Sequence, residues 1–395
     1  MSKTTLSNQT RQASDGQYQA ALRLTRPEMA HIEPRTTHVD VQSYLDDSVF
    51  KREQLALFRR LPVPAAVSQD LPKPGTFMSV EVAGVPVILT RPKSGPVKAF
   101  LNTCTHRGTR LLDNGECGAG LKLTCVYHAW TFSLQGKLIG VPREEIFKDL
   151  DKENHHLAEL PCFEGGGLIW VSLDREAKLD AEAIGPELLH DFDSIGVPQM
   201  HVFKTHDFEL NANWKLLSDA FLEGYHVTRL HAKTLARFFV DAPQMIERVG
   251  RHLRQTSGSR RGFSAADVQH DWNELRKAVV YAYIAFPNVI VVTSPVYVSV
   301  TILTPVANDR TLARYIMLVD ESDPSPELQG VYERSFKLMA DAFGNEDFRA
   351  AELSQQGLRT GALKTMTLGG MEQGIRYFHD LIEEYGGSAS SGEAA

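Results

Sequence analysis

Between Phe77 and Leu173 apolar residues alternate with polar ones in short runs, each ending in turn residues. "MSVEVAGVPVILTR" alternates, breaks at Ala83-Gly84 and alternates again, which predicts a β-hairpin. "VKAFLN" and "GGGLIWVSLD" read as further strands, so the stretch is expected to form a small all-β unit. A helical lead-in, "VQSYLDDSVFKREQLALF", precedes it. Beyond about Leu179 the pattern changes. A helix is expected around Asn213 to Thr234, followed by a β-rich region ("AVVYAYIAF", "VIVVTS", "YVSVTILTPV", "TLARYIMLVD"). "SPELQGVYERSFKLMADAF" has helical spacing, with Ser325 as N-cap and Pro326 in the first turn. A final helical segment runs through Met371 to Tyr385. Antiparallel sheet followed by long helices predicts an α+β class. The expected division is 1–47 as tail and lead-in helix, 48–175 as the β unit, and 176–395 as a second domain.

With 395 residues, 43% hydrophobic and 23% charged, the chain can bury about two cores. A net charge of −7 argues against a broad nucleic-acid surface or a polybasic membrane anchor. The most basic run, "RHLRQTSGSRR" from Arg251 to Arg261, reads as a solvated loop. Residues 1 to about 20 and the tail "GGSASSGEAA" are polar and expected to be mobile. The amino terminus lacks the apolar core of a signal peptide. The longest apolar region, Ala278 to Leu303, is broken by Pro287, Asn288, Ser294 and Pro295, so it reads as strands with turns and not as a membrane span. Four cysteines in so long a chain are no disulfide framework. A cytoplasmic protein is expected.

Two of those cysteines carry chemistry. In "CTHRGTRLLDNGECGAGLKLTCVYHAW", Cys104 precedes His106 by two residues and Cys125 precedes His128 by three, with 18 residues between the limbs. A tetrahedral zinc could use two Cys and two His, but its familiar arrangements group like with like. Mixed limbs suit two metals, each limb giving a thiolate to one iron and an imidazole to the other. That is the Rieske [2Fe–2S] arrangement, whose imidazole-bound iron raises the potential to about −150 to +300 mV. Cys117 and Cys162 read as packed cysteines.

"CTHRG" and "YHAW" resemble the two loops of the Rieske family, and Arg107, Tyr127 and Trp130 point to its oxygenase branch. Thr109 and Tyr127 stand where respiratory members carry an extra cysteine pair. Ala129 departs from the family's usual Gly, and its methyl is expected to crowd a backbone N–H to sulfur bond.

"NWKLLSDAFLEGYHVTRLH" holds Glu223, His226 and His231. Glu223 and His226 share a helical face. His226 and His231 are five apart, or about 140° on a regular helix, so they converge only if the helix loosens between them. The stretch resembles the iron-binding segment of Rieske non-haem iron oxygenases. The resemblance implies that His226 and His231 bind iron, with Asp347 of "GNEDFRAAELSQQGL" as third ligand and Glu346 as its nearest rival. Two imidazoles and a carboxylate form the facial triad that leaves positions open on Fe(II). Glu223 is implied to link His226 to the second Rieske histidine, His128, of a neighbouring subunit. Asp219 matches a further acidic position, with a solvent-facing helical acid as the plain alternative. Ala220, Phe221, Val227 and Phe343 are implied to line the substrate pocket; Ala220 stands where the family often has Asn.

Together these features resemble the α (oxygenase) subunit of aromatic-ring-hydroxylating dioxygenases from about residue 45 to 385. The resemblance implies an all-β Rieske domain and a helix-grip (START/Bet v 1-like) catalytic domain with an antiparallel sheet. It implies a [2Fe–2S] cluster, mononuclear Fe(II), dioxygen, an organic and foremost aromatic substrate, a separate reductase with or without a ferredoxin, and a homotrimer (α3) or α3β3 assembly. Monooxygenation (O- or N-demethylation, or attack on a quaternary amine) is the alternative, which Glu at 223 favours over Asp. A Rieske electron carrier is the minor one. No G-x-G-x-x-G follows an expected strand, so no nicotinamide or flavin site is anticipated.

Overall fold

The protein, described from a computed structural model, is seen at residues 11–26, 34–236, 238–259 and 264–387. It folds as two compact units, 58–184 and 1–57 together with 185–395.

Unit 58–184 is built of short antiparallel sheets. Five strands pair in the order Glu159–Leu160, Lys98–Leu101, Val85–Thr90, Thr76–Val82, Cys117–Ala119. The expected hairpin forms, with Val82 opposite Val85. Its turn residues Ala83 and Gly84 both have positive φ, the geometry that follows the twist of the strands. Two three-stranded sheets complete the unit, Cys162–Gly165/Leu168–Val171/Val63–Val67 and Lys122–Thr124/Thr131–Ser133/Leu138–Gly140. Phe100, Trp130, Phe132 and Leu138 form a core that also buries Cys104 and Cys125.

The second unit carries a seven-stranded antiparallel sheet in the order His201–Leu210, Arg310–Val319, Val298–Ala307, Val289–Thr293, Val279–Ala285, His252–Ser259, Phe239–Val249. The apolar region from Ala278 thus becomes three adjacent strands, and no helix among the described residues is long and apolar enough to cross a membrane. Helix Pro326–Ala342 starts as expected, Ser325 Oγ accepting from Leu328 N. Helix Gln373–Gly386 buries Ile375, Phe378, Leu381 and Ile382. In its first turn, at Gly374, a Cβ would lie 2.2 Å from the Leu222 carbonyl oxygen, so the helix presses directly on the segment that carries Glu223 and His226.

Several expectations change. The units meet at 57/58 and 184/185, against the expected divisions at 47/48 and 175/176; helix Asp47–Glu53 belongs to the larger unit, where Glu53 is the buried ion-pair partner of Lys215. Residues 1–10 and 388–395 lie outside the described residues, but 11–20 are ordered. Ser14 caps helix Asp15–Leu24, which buries Ala20, Ala21 and Leu24. The basic run is no loop: His252–Ser259 is an inner strand, with Arg254 buried against Asp191 (2.6 Å) and Glu247 (2.7 Å). Arg260 and Arg261 lie outside the described residues. Cys117 is exposed at a sheet edge and not packed. Cys162 is half-buried, and burial pushes its thiol up to about 12. The expected helix 213–234 stops at Asp219 and resumes for one turn at Val227–Leu230.

Candidate functional site

The Rieske-like loops share one backbone plan. Cys104 N donates to Thr109 O (2.8 Å) while Cys104 O accepts from Gly108 N (2.9 Å). Cys125 N donates to Trp130 O (2.8 Å) while Cys125 O accepts from Ala129 N (2.9 Å). Each loop therefore closes over five residues and holds its thiol inside, with both cysteines buried. The imidazoles sit at the outer side. His106 is half-buried and stacks on Trp130 at 4.7 Å, and the exposed His128 stacks under Tyr127 at 3.8 Å. The two imidazole rings approach edge to face at 4.8 Å. A donor set of two inner thiolates and two outer imidazoles fits a cluster of two irons, one deep and one near the surface.

The loop geometry also explains the departure at 129. Gly108 and Ala129 hold equivalent places, and both have positive φ (79° and 56°). A Cβ there costs on the order of 1 kcal/mol. The strain thus lies in the backbone of Ala129, in addition to any crowding by its methyl. Ala129→Gly is expected to raise the thermal midpoint of cluster bleaching by a few degrees, read from visible absorption on heating. An unchanged or lower midpoint would show that the loop absorbs the methyl without cost.

In the other unit, the chain unwinds after Asp219 through turns closed by Leu222 N to Asp219 O (3.1 Å) and Val227 N to Gly224 O (3.1 Å). His226 enters the short helical turn and His231 leaves it, and this loosening brings their rings to 5.1 Å. Asp347 arrives from a π-helical turn, Phe343–Asp347, between two helices. Such turns recur at functional sites because they re-aim consecutive side chains. Here Glu346 and Asp347 grip one imidazole from both edges. His231 Nδ1 donates to Glu346 Oε2 (2.6 Å), while Nε2 lies 3.0 Å from Asp347 Oδ1. His226 repeats the pattern: Nδ1 donates to Glu223 Oε1 (2.5 Å) and Nε2 lies 3.5 Å from Asp347 Oδ1.

With both Nδ1–H groups given to outer carboxylates, both Nε2 lone pairs face a carboxylate oxygen. That oxygen, Asp347 Oδ1, is buried and has no hydrogen-bond partner. Ligand atoms of His226, His231 and Asp347 all lie within 4.8 Å of one another. Three lone-pair donors turned on one point repel one another unless a cation lies between them, so the residues fit a divalent metal. The outer carboxylates fix the tautomers and raise ligand basicity. Burial lowers the readiness of His226 and His231 to take a proton, but Glu223, Glu346 and Asp347 outweigh it and both imidazoles are shifted up. Glu346, the rival to Asp347, lies on the Nδ1 edge of His231, away from the point where the Nε2 atoms meet; Thr234 Oγ1 also donates to it (2.6 Å).

Asp219 is no solvent-facing acid. It is buried, and burial pushes its carboxyl up to about 7. Tyr44 O–H donates to its Oδ2 (2.7 Å), and His379 Nε2 lies 2.8 Å from the same phenol oxygen. Burial holds the His379 imidazole well below its usual range, so it is neutral and its Nε2–H donates to Tyr44. Asp219 does not line the cavity beside the metal site.

That cavity offers about 110 Å³ to an occupant and opens to solvent. Ala220, Phe221, Val227 and Phe343 all line it, together with Glu223, His226, His231 and Asp347. Phe221 meets Phe343 edge to face at 5.0 Å. Its far wall went unread in the sequence. Ser257 and Gln255 on one strand pair with Val280 and Ala282 on the next, and Ala282 pairs with Val292. All five line the cavity. The stretch "RQTSGS" is polar throughout, so no local pattern marked it as a cavity wall.

Comparison with known proteins agrees with this arrangement. Residues 62–162 match the Rieske [2Fe-2S] domain, and residues 198–387 match the ring hydroxylating alpha subunit (catalytic domain). The chain is 25% identical over 363 residues to the carnitine monooxygenase oxygenase subunit of Escherichia coli (strain K12), covering 88% of this chain and 93% of that one. It is 26% identical to choline monooxygenase, chloroplastic, of Spinacia oleracea, covering 89% and 79%. The fold matches a quaternary ammonium Rieske monooxygenase in complex with L-carnitine (TM-score 0.76, 23% identity, 91% and 99% covered). It also matches naphthalene 1,2-dioxygenase from Rhodococcus sp. (TM-score 0.75, 18% identity, 96% and 100% covered). With its two domains matched in this order and relatives aligned along most of its length, the chain belongs to the Rieske oxygenase α subunits, the terminal oxygenase components that carry a [2Fe–2S] cluster and a mononuclear iron.

Proposed function

We propose that Cys104, His106, Cys125 and His128 hold the cluster, that His226, His231 and Asp347 hold the iron, and that the enzyme hydroxylates an apolar, foremost aromatic substrate in the adjoining cavity. One observation carries this reading: two carboxylate-bound imidazoles turn their Nε2 atoms on a buried, unpartnered Asp347 oxygen beside an apolar cavity. The iron, when bound, supplies open positions for dioxygen, and the cluster supplies electrons one at a time. The chain's own part is positional. Glu223 and Glu346 hold the imidazoles in one tautomer, while Phe221 and Phe343 keep water from the face where substrate lies. Asp219 acts through Tyr44 and His379 as a buried positioning group near Glu223.

Electrons have to come from outside, from a separate reductase with or without a ferredoxin. Rieske oxygenase α subunits oligomerise, and the report of one quaternary ammonium Rieske monooxygenase describes inter-subunit electron transfer in that protein. We assign an inter-subunit route here as well: Glu223, bonded to His226, accepts a second hydrogen bond from His128 of the partner subunit within an α3 or α3β3 assembly. The exposure of His128 supports this route. None of the four cysteines is in a disulfide, in keeping with a reducing, cytoplasmic setting.

Glu223→Gln tests the bridge. A carboxamide accepts from His226 but offers an N–H, not a second acceptor, to the partner's His128. Both metal centres are expected to survive while coupled turnover falls about 100-fold. Near-normal turnover would reject the bridge and leave the metal assignment standing.

A second reading, monooxygenation such as O- or N-demethylation or oxidation of a quaternary amine, is favoured by Glu at 223 and by the carnitine and choline monooxygenases among the relatives. Labelled dioxygen separates the two. Two label atoms in a cis-diol exclude the second reading, and formaldehyde release counts against the first. Absence of substrate-dependent oxygen uptake across aromatic and quaternary-amine panels, with both metals loaded and a reductase supplied, would overturn both.

A further inference from the structure

Gln255 stands out in the apolar wall of the cavity. It is 7% exposed, and its Oε1 is buried with no hydrogen-bond partner. The orientation of its amide is fixed from outside. Gln244 Nε2 donates to the Met371 carbonyl (2.8 Å), which turns Gln244 Oε1 toward Gln255. That oxygen accepts from Gln255 Nε2 at 3.2 Å. Reversing the Gln255 amide would set two oxygens against each other, so its carbonyl is the end left over. The nitrogen end points to Gln244, and Gln255 also borders a second space beside Met371.

Strand geometry places the residue on the cavity side. Gln255 is opposite Ala282, which is opposite Val292, and all three line the cavity with Ser257 two positions along the same face. Thr293, a neighbouring polar residue on the same sheet, is already engaged: its Oγ1 accepts from Tyr281 N at 2.9 Å. A buried acceptor left without a donor is a standing cost to the fold, and it is removed when a bound molecule supplies the donor.

We propose that the substrate is an apolar molecule bearing one N–H or O–H group, and that Gln255 Oε1 accepts that hydrogen and so orients the substrate in the cavity. This rests on the reading of the cavity as the substrate site. It adds a specificity determinant on the sheet, across the cavity from the metal ligands. A wall that needs a donor discriminates against the isostere that lacks one, because the acceptor then stays unpaired.

The test uses indole and indene, two bicyclic probes of the same shape with and without an N–H. Each is titrated into anaerobic, metal-loaded enzyme by calorimetry, which reads binding and not turnover. Indole is expected to bind about tenfold or more tightly than indene. In Gln255→Met, of similar length but without the acceptor, the ratio is expected to fall to about one through loss of indole affinity. Wild-type enzyme with indole against 1-methylindole repeats the comparison without any variant and is expected to show the same preference. Equal affinities in the wild type, failure of every probe to bind at millimolar concentration, or a preference that survives in Gln255→Met would each overturn the proposal. Iron content and cluster absorption of the same samples keep the outcomes apart. Their absence sinks the functional reading itself, whereas their presence without discrimination sinks only the role of Gln255.

Discussion

Asp347→Ala is expected to remove the mononuclear iron and abolish substrate-dependent oxygen uptake, while the visible absorption of the cluster stays intact. Asp347 is 3% exposed, and its Oδ1 is the point to which both imidazole Nε2 atoms turn, at 3.0 and 3.5 Å. Without that oxygen the site keeps two neutral donors and loses the only charged one. Two imidazoles alone hold Fe(II) weakly, since a carboxylate both completes the facial set and offsets the charge of the ion. Glu346 is not placed to step in, because its Oε2 lies on the Nδ1 edge of His231 and accepts from that nitrogen and from Thr234 at 2.6 Å each. Glu346→Gln should therefore weaken iron binding about tenfold to a hundredfold without eliminating it. Iron analysis beside the cluster spectrum decides the matter. If Asp347→Ala kept its iron and Glu346→Gln lost it, the roles of the two neighbours would have to be exchanged.

The contrast between these adjacent acids shows where sequence reading works and where it stops. Spacing within a few residues is legible, because a loop or a helical turn converts it directly into geometry. Cys104/His106, Cys125/His128 and His226/His231 stood out on that ground; the loosening was expected between the two histidines, whereas the helix breaks earlier, between Asp219 and His226. Ser325 and the hairpin at Ala83-Gly84 announced their elements for the same local reason. Contacts between distant segments leave no such mark. Glu346 was weighed only as a rival ligand because its bond to His231 spans 115 residues. Arg254 looked like part of a solvated basic loop because its carboxylate partners, Asp191 and Glu247, come from a helix and a neighbouring strand. Residues 11–20 looked mobile because the groups that hold them, such as Asp191 and Tyr283, lie more than 170 positions away. Gln255 belongs to this class too. Nothing local marks a strand glutamine as an unpaired acceptor until its neighbours have used up its amide nitrogen.

Lys215→Met is expected to destabilise the larger unit by about 3–5 kcal/mol and to lower its melting midpoint by roughly 10 °C. Lys215 is fully enclosed; its Nζ donates to both Glu53 oxygens at 2.7 Å, and Trp214 Nε1 donates to Glu53 Oε2 at 3.1 Å. Burial pulls the Lys215 ammonium below its usual pKa even with Glu53 pulling the other way, which shows how little water reaches it. Removing the lysine alone strands the Glu53 carboxylate in that dry place, where an unpaired charge costs far more than the pair contributes. Lys215→Met combined with Glu53→Gln removes both charges and keeps an acceptor for Trp214, so it should recover most of the lost stability. Thermal melts of the single and double variants give the sign. Full recovery would mean that the pair serves no purpose that uncharged groups of similar size cannot serve. The pair also fixes helix Trp214–Asp219, which leads straight into Glu223 and His226. Iron release on heating should therefore coincide with the melt in the wild type and move down with it in Lys215→Met. Iron lost well below the melt in both proteins would instead place the weak point in the turns between Asp219 and His226, independent of the helix that precedes them.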